Sequence, residues 1–243
     1  MNKYRSILLT AVLSAVGCSP TDNKSDSGDL PKLDEPTPNV EIQTESIVLV
    51  GGNEDDSLIG GGGHDQLTGG EGADFLDGKG GYDYVRYDNE DLIEGVLVNL
   101  LRPEENTGQA KGDQYVSIEG IFGSKFDDDL TGDDKSNDIN GLGGDDILNG
   151  AGGRDVYNGG PGNDIFVLTA GETDGDVILE FESSDDTKDI IEFRGFGEAP
   201  VVTQTKDGEW LIVSESGNFS EIFFVKSGSE YVQSSYVSVG VLE

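Results

Sequence analysis

Aspartate returns in this chain every nine residues. From Gly51 the sequence divides into GGNEDDSLI, GGGGHDQLT, GGEGADFLD and GKGGYDYVR. From Gly123 the same frame gives GSKFDDDLT, GDDKSNDIN, GLGGDDILN, GAGGRDVYN and GGPGNDIFV. The sixth position holds Asp56, Asp65, Asp74, Asp83, Asp128, Asn137, Asp146, Asp155 and Asp164. Such a row of side-chain oxygens is suited to a hard cation, which prefers carboxylate and carbonyl ligands. Zinc would want Cys or His, and the chain has one of each. The eighth position is apolar in every block: Leu58, Leu67, Leu76, Val85, Leu130, Ile139, Leu148, Tyr157 and Phe166. Nine apolar hits in nine tries are expected by chance roughly once in ten thousand or less.

The blocks follow the pattern G-G-x-G-x-D-x-U-x, and the chain thereby resembles the RTX (repeats-in-toxin) family of calcium-binding nonapeptide proteins. The resemblance implies an all-β fold, a right-handed parallel β-roll closed by a C-terminal β-hairpin or sandwich-like cap. It also implies Ca²⁺ as the ligand of the sixth-position residues.

Physical chemistry gives the same expectation from the residues upward. Glycine in the first half of a block permits positive φ and a tight turn. The last three residues, such as Gln66-Leu67-Thr68, put one apolar side chain on one face, as a short strand does. Turn and strand, twice over, close one coil in about 18 residues, and stacked coils lie about 4.8 Å apart. Two carboxylates at that spacing repel by about 3 kcal/mol at an effective dielectric of 20. A Ca²⁺ ion between them, with oxygens at about 2.4 Å, reverses the sign, whereas Mg²⁺ is too small and demands octahedral geometry. Backbone carbonyls exposed at the glycine turns can complete the shell. Same-edge neighbours are alternate blocks, so the expected pairs are Asp56 with Asp74, Asp65 with Asp83, Asp128 with Asp146, Asp146 with Asp164, and Asn137 with Asp155. That is about five ions. The opening block of each run, with Glu54 or Phe126 where Gly belongs, reads as a worn capping repeat.

Other readings of the same residues are weaker. Asp127 to Asp138 has an EF-hand-like order of oxygen ligands, but its flanks carry glycine and no helical periodicity. There is no G-x-x-x-x-G-K-[S/T], and the carboxylates would repel a phosphate. A disordered acidic linker would not keep a fixed frame. His64, the sole histidine, lies at a variable turn position and reads as exposed. No H-E-x-x-H exists, and nucleophile–His schemes lack a His near any motif. Carboxylate pairs of glycosidase type are not excluded by residue type, but the acids in frame are already committed to a cation. The expectation is a protein without catalysis.

The 243 residues carry 49 acids against 15 bases, a net charge of −34. That argues against nucleic acid and against an anionic membrane surface as partners. Only 34% of residues are apolar and 37 are Gly, too little for a large core without help. Calcium supplies it. With a Kd near 10⁻⁴ M and about 1 mM free ion, each site adds roughly 1.4 kcal/mol. Folding and metal binding are then one event.

The N-terminus has Lys3 and Arg5, an apolar run from Ile7 to Val16, and Ala15-Val16-Gly17-Cys18. The run is too short to span a bilayer and reads as a signal peptide over residues 1–17. The only cysteine, Cys18, stands where a bacterial lipoprotein signal puts its acylated residue, so it is the expected lipid attachment and membrane contact. Ser19 after it favours the outer membrane by the same resemblance. Residues 18–46 are rich in Pro, Asp and Ser and read as a disordered tether.

Ile47 to Val50 reads as an entering strand, ahead of the first run over 47–86. Residues 87–122 are an inter-block β extension, with strands at Gly95–Leu100 and Tyr115–Phe122. The second run covers 123–167. The cap, 168–243, has strands at Asp176–Phe181, Asp189–Phe193, Trp210–Val213, Ile222–Val225 and Tyr236–Val239, with Trp210 in its core. The expected function is a calcium-folded, lipid-anchored module of the bacterial cell envelope, outer membrane or surface, holding a protein or polysaccharide partner that the sequence does not name. The alternative is a type I-secreted protein or an accessory module of an extracellular carbohydrate-active or proteolytic system.

Overall fold

A computed structural model describes residues 45–90, 92–173, 175–182, 188–197, 200–206, 209–213, 220–227, 230–231 and 239–240. The signal peptide, Cys18 and all but the last two residues of the tether lie outside the described residues, as does Tyr236.

Each nonapeptide yields one strand over its eighth position, three residues long in every block but the last, where it runs to five. In chain order the strands are β1 (Val48–Val50), β2 (Ser57–Ile59), β3 (Gln66–Thr68), β4 (Phe75–Asp77), β5 (Tyr84–Arg86), β6 (Leu97–Asn99), β7 (Gln114–Val116), β8 (Gly120–Phe122), β9 (Asp129–Thr131), β10 (Asp138–Asn140), β11 (Ile147–Asn149), β12 (Val156–Asn158) and β13 (Ile165–Thr169). The cap adds β14 (Val177–Leu179), β15 (Ile190–Arg194), β16 (Val201–Lys206), β17 (Glu209–Val213), β18 (Ser220–Ser227), β19 (Glu230–Tyr231) and β20 (Val239–Gly240).

Alternate strands stack in parallel, and the result is a parallel β-roll. One face runs β1-β3-β5-β8-β10-β12-β14 without a break. The other is made of β2-β4-β7 and β6-β9-β11-β13-β15-β20. The register places eighth positions directly over one another: Leu49 on Leu67, Leu67 on Val85, Ile139 on Tyr157. Leu130, Leu148 and Phe166 do the same on the second face. From Leu67 onward these side chains are fully buried between the two faces, while Leu49 and Leu58 at the N-terminal end are only partly covered.

The two runs form one continuous roll, because β5 pairs directly with β8, Val85 against Ile121. The intervening residues are a coil enlarged in place. They supply Val98 as the rung under Leu130 and Tyr115 as the rung over Leu76. A short 3-10 turn at Pro103–Glu105 and another at Gly108–Ala110 carry the chain between β6 and β7. Tyr115 to Phe122 is therefore not one strand. Ser117, at φ 51, turns a corner between β7 and β8, which lie on opposite faces. Nor is the Phe126 block a worn cap: β9 lies inside the stack between β6 and β11, because the enlarged coil has already covered it.

At the C-terminal end β18 adds in parallel to β14, and β17 and β16 follow it antiparallel. This meander closes the roll. Trp210 stacks on Phe223 at 6.4 Å and Phe223 meets Phe193 at 5.6 Å, all buried. An open solenoid end would leave a sticky edge, which this arrangement covers.

Candidate metal centre

The strands fix where the sixth-position residues go, because each precedes its buried rung by two. Eight of the nine are buried, only Asp56 at the thin N-terminal end being half-exposed. All five expected pairs are neighbours across one coil, and a single hydrogen bond defines the relation. The backbone N–H of Asp56 donates to Asp74 Oδ1 at 2.8 Å, and that of Asp65 to Asp83 Oδ1 at 2.7 Å. Asp128 N–H donates to Asp146 Oδ1 at 2.8 Å, Asn137 N–H to Asp155 Oδ1 at 2.8 Å, and Asp146 N–H to Asp164 Oδ1 at 2.9 Å. One oxygen of each second carboxylate is thus used to tie coil to coil.

The second oxygen has two states. In the first two blocks of each run it accepts the N–H of its own block's second residue: Gly52 to Asp56, Gly61 to Asp65, Ser124 to Asp128 and Asp133 to the Asn137 amide oxygen. In the other five blocks Oδ2 of Asp74, Asp83, Asp146, Asp155 and Asp164 is buried without a partner. Those are the blocks whose second residue has positive φ: Gly70, Lys79, Leu142, Ala151 and Gly160. The flip turns the N–H away. At three of them it meets the ninth residue of the preceding block, as Lys79 N–H meets Asp77, Leu142 meets Asn140 and Ala151 meets Asn149. A buried carboxylate oxygen with no donor is costly, and here it is presented five times over.

At two of these five, Asp83 and Asp146, a backbone carbonyl of the next coil stands beside the orphaned oxygen, and at the four satisfied blocks a carbonyl approaches the sixth-position oxygen in the same way. A Cβ placed on Gly141 would overlap Asp146 Oδ2 and lie 2.8 Å from Gly159 O. The same pair of atom types converges at Gly51 (Asp56, Gly69 O), Gly60 (Asp65, Gly78 O), Gly123 (Asp128, Gly141 O) and Gly132 (Asn137, Gly150 O). The first glycine of the motif is needed because its missing side chain leaves that volume to two oxygens. Among the described residues no three side chains of Asp, Glu, His or Cys gather as a metal group by themselves. An ion here would be held by carboxylate and carbonyl together, a set that suits Ca²⁺.

Electrostatics agrees. Burial first, and then the neighbouring Asp128 and Asp164 charges, push the Asp146 carboxyl up to about 8. Burial raises Asp155 and Asp164 to about 7 and Asp83 to about 6. Asp74 and Asp128 are raised for the same reason. Without a cation these groups are poor carboxylates, and a divalent ion offsets the cost of burying their charge.

Three further aspartates continue the ladder outside the nonapeptides. Asp113 Oδ1 takes Asp74 N–H at 2.9 Å, Asp176 takes Asp155 N–H at 2.9 Å, and Asp189 takes Asp164 N–H at 3.0 Å. Their second oxygens are satisfied from within: Tyr87 hydroxyl donates to Asp113 at 2.8 Å, Tyr157 hydroxyl to Asp176 at 3.2 Å, and Glu182 N–H to Asp189 at 2.6 Å. The signal that could have found them is the D-x-U core of the motif, kept in Asp113-Gln114-Tyr115, Asp176-Val177-Ile178 and Asp189-Ile190-Ile191 after the glycines are gone. Asn137 also has a structural reason. The residue one coil back, Glu119, presents a carbonyl, and the Asn137 amide donates to it at 3.2 Å. His64 is exposed, and its Nδ1 accepts Tyr82 N–H at 2.9 Å, a coil-to-coil tie.

No curated protein matches the sequence. Among solved structures, the crystal structure of the extracellular lipase LipA from Serratia marcescens matches at 17% identity and a TM-score of 0.29, over 84% of this chain and 41% of the lipase. The chain thus spans less than half of that protein's length. The family model described as the RTX calcium-binding nonapeptide repeat matches in four copies, over residues 50–85 and 131–166. Those residues, which build rungs of both faces, are RTX calcium-binding nonapeptide repeats.

Proposed function

We propose that this chain is a module of the bacterial cell envelope, anchored by lipid on Cys18, whose roll folds when about five Ca²⁺ ions bind between its coils. The observation that supports the ion positions is the set of buried, donorless Oδ2 atoms and the glycine carbonyls that converge with sixth-position oxygens. Asp56, Asp65, Asp74, Asp83, Asp128, Asn137, Asp146, Asp155 and Asp164 are the proposed side-chain ligands, one ion to each stacked pair. When bound, calcium supplies positive charge where the coils bring carboxylates together. The chain's own residues do the rest: glycines leave room, Oδ1 sets coil spacing, and the apolar rungs exclude water. This reading assigns the protein a display or binding role and no catalysis.

Circular dichroism of the full chain, titrated with calcium against a chelator, tests the folding. A cooperative gain of β signal with calcium and not with magnesium is expected, and identical spectra with calcium and chelator would refute it. The anchor is tested separately. Acylated protein in the envelope fraction supports it, and unlipidated protein in the medium supports a type I-secreted protein instead.

A further inference from the structure

We infer that the splice between the two runs holds a sixth cation site, of calcium type, formed by Asp83, the Ser117 carbonyl and Glu119. It rests on the calcium reading above but lies partly outside the nonapeptides, since neither Ser117 nor Glu119 belongs to a block. The comparison that carries it is with the level between Asp146 and Asp164. There, Oδ2 of the first carboxylate is buried and donorless, a Cβ on the block's first glycine would strike both that oxygen and a carbonyl of the next coil, and the next acid accepts the first one's N–H. At the splice each part recurs. Asp83 is fully buried and its Oδ2 has no partner. A Cβ on Gly78 would overlap Asp83 Oδ2 and Ser117 O together. Glu119 Oε2 accepts Asp83 N–H at 2.9 Å, the bond that an aspartate makes elsewhere.

The backbone shows that this is an arrangement and not a leftover. Among the described residues, Ser117 is one of five non-glycine residues with positive φ, at 51°. A residue of that kind pays a steric penalty in the left-handed region. Its carbonyl is brought to the place where Gly78 O stands one coil earlier, against Gly60. Glutamate replaces aspartate because the corner at Ser117 and Ile118 enters β8 differently from a glycine turn, and one more methylene restores the reach. Asp113, one coil along the other edge, is different: its second oxygen already accepts the Tyr87 hydroxyl. The ligand class is therefore a hard divalent cation bound by two carboxylates and a carbonyl, with calcium as the ion present in every test below.

Native mass spectrometry of the calcium-saturated full chain counts the ions. Six are expected for the wild type and five for Glu119→Gln, whose amide oxygen still accepts Asp83 N–H and so keeps the coil tie. Asp113→Asn leaves the count at six. A wild-type count of five that Glu119→Gln does not lower overturns the inference and leaves the five repeat sites standing. Binding of no calcium at all refutes the calcium reading itself. Should Glu119→Gln fail to fold, the wild-type count decides: six supports the site, five or fewer overturns it.

Discussion

Asp146→Asn separates the two jobs of a sixth-position residue. Asp146 Oδ1 holds Asp128 N–H, while Asp164 Oδ1 holds the N–H of Asp146, so this one side chain belongs to two levels. Asparagine keeps the Oδ1 acceptor and the shape. It removes the charge, and it puts an N–H₂ where Oδ2 now faces Gly159 O. In 1 mM calcium, with a Kd near 10⁻⁴ M per level, losing both ions costs about 3 kcal/mol. For a unit of this size that is a melting temperature lower by about 6–12 °C. In chelator the sign reverses. The wild type then buries a donorless carboxylate raised to about 8 by burial and by Asp128 and Asp164, and the amide relieves it. In chelator the variant should keep at least as much β signal as the wild type. Thermal unfolding in calcium and circular dichroism in chelator read the two effects. An equal loss in the two conditions would refute the reasoning, since it would mean that Asp146 acts by packing and hydrogen bonding alone.

The calcium-free roll should respond to pH in the direction opposite to ordinary acid unfolding. The buried aspartates have folded values near 6 to 8 against an unfolded 3.8 (Asp83 about 6, Asp155 and Asp164 about 7, Asp146 about 8), so their protonated forms favour the folded state. That stability is fully present below about pH 4 and is lost as pH rises through 6 to 8; β signal in chelator should be greater at pH 5 than at pH 8, and the reverse trend would count against these burials. With calcium the trend inverts, because protons compete for the ligands, and affinity by titration calorimetry should rise over the same window. Asn137→Asp restores the repeat pattern yet should lower the β signal that remains in chelator, at a cost of about 1–2 kcal/mol, because a carboxylate oxygen then faces the Glu119 carbonyl that the amide now satisfies; a β signal in chelator at or above wild type would contradict it. Ala151→Gly, at φ 64, should raise the urea midpoint by the equivalent of about 0.5 kcal/mol, as relief of left-handed strain outweighs the glycine entropy.

The nine-residue frame made the roll legible because every rung is buried by the same residue in every block. Leu67, Ile139 and Phe166 differ in shape but occupy one kind of place. What the frame hid begins where the period changes. Between Arg86 and Gly123 the chain keeps the rungs, Val98, Tyr115 and Ile121, but not their spacing, so Tyr115 to Phe122 reads as one strand when Ser117 splits it. Asp113, Asp176 and Asp189 were hidden for the same reason. Asp113 reads as a residue between a loop and a strand, and Asp176 and Asp189 as the openings of strands; only the stacking shows that all three continue a column. β16 was missed because Val201–Lys206 alternates weakly and Val201 is largely exposed, the pattern of an outer strand held by its neighbour. The pairing of sixth positions could be read from spacing, but the division of labour between Oδ1 and Oδ2 could not. It depends on a peptide orientation at the second residue, where Gly52 and Gly70 share one letter and differ in conformation.

The unbroken face from β1 to β14 also sets how the molecule would yield to a pull. Its hydrogen bonds run from coil to coil, along the stacking axis, and each rung is only three residues long. Tension applied between the ends loads the rungs in series, so they part singly, like teeth of a zip. Each coil that opens releases 18 residues, about 60 Å of extended chain. Such a roll would give length in steps under load and wind back when slack returns.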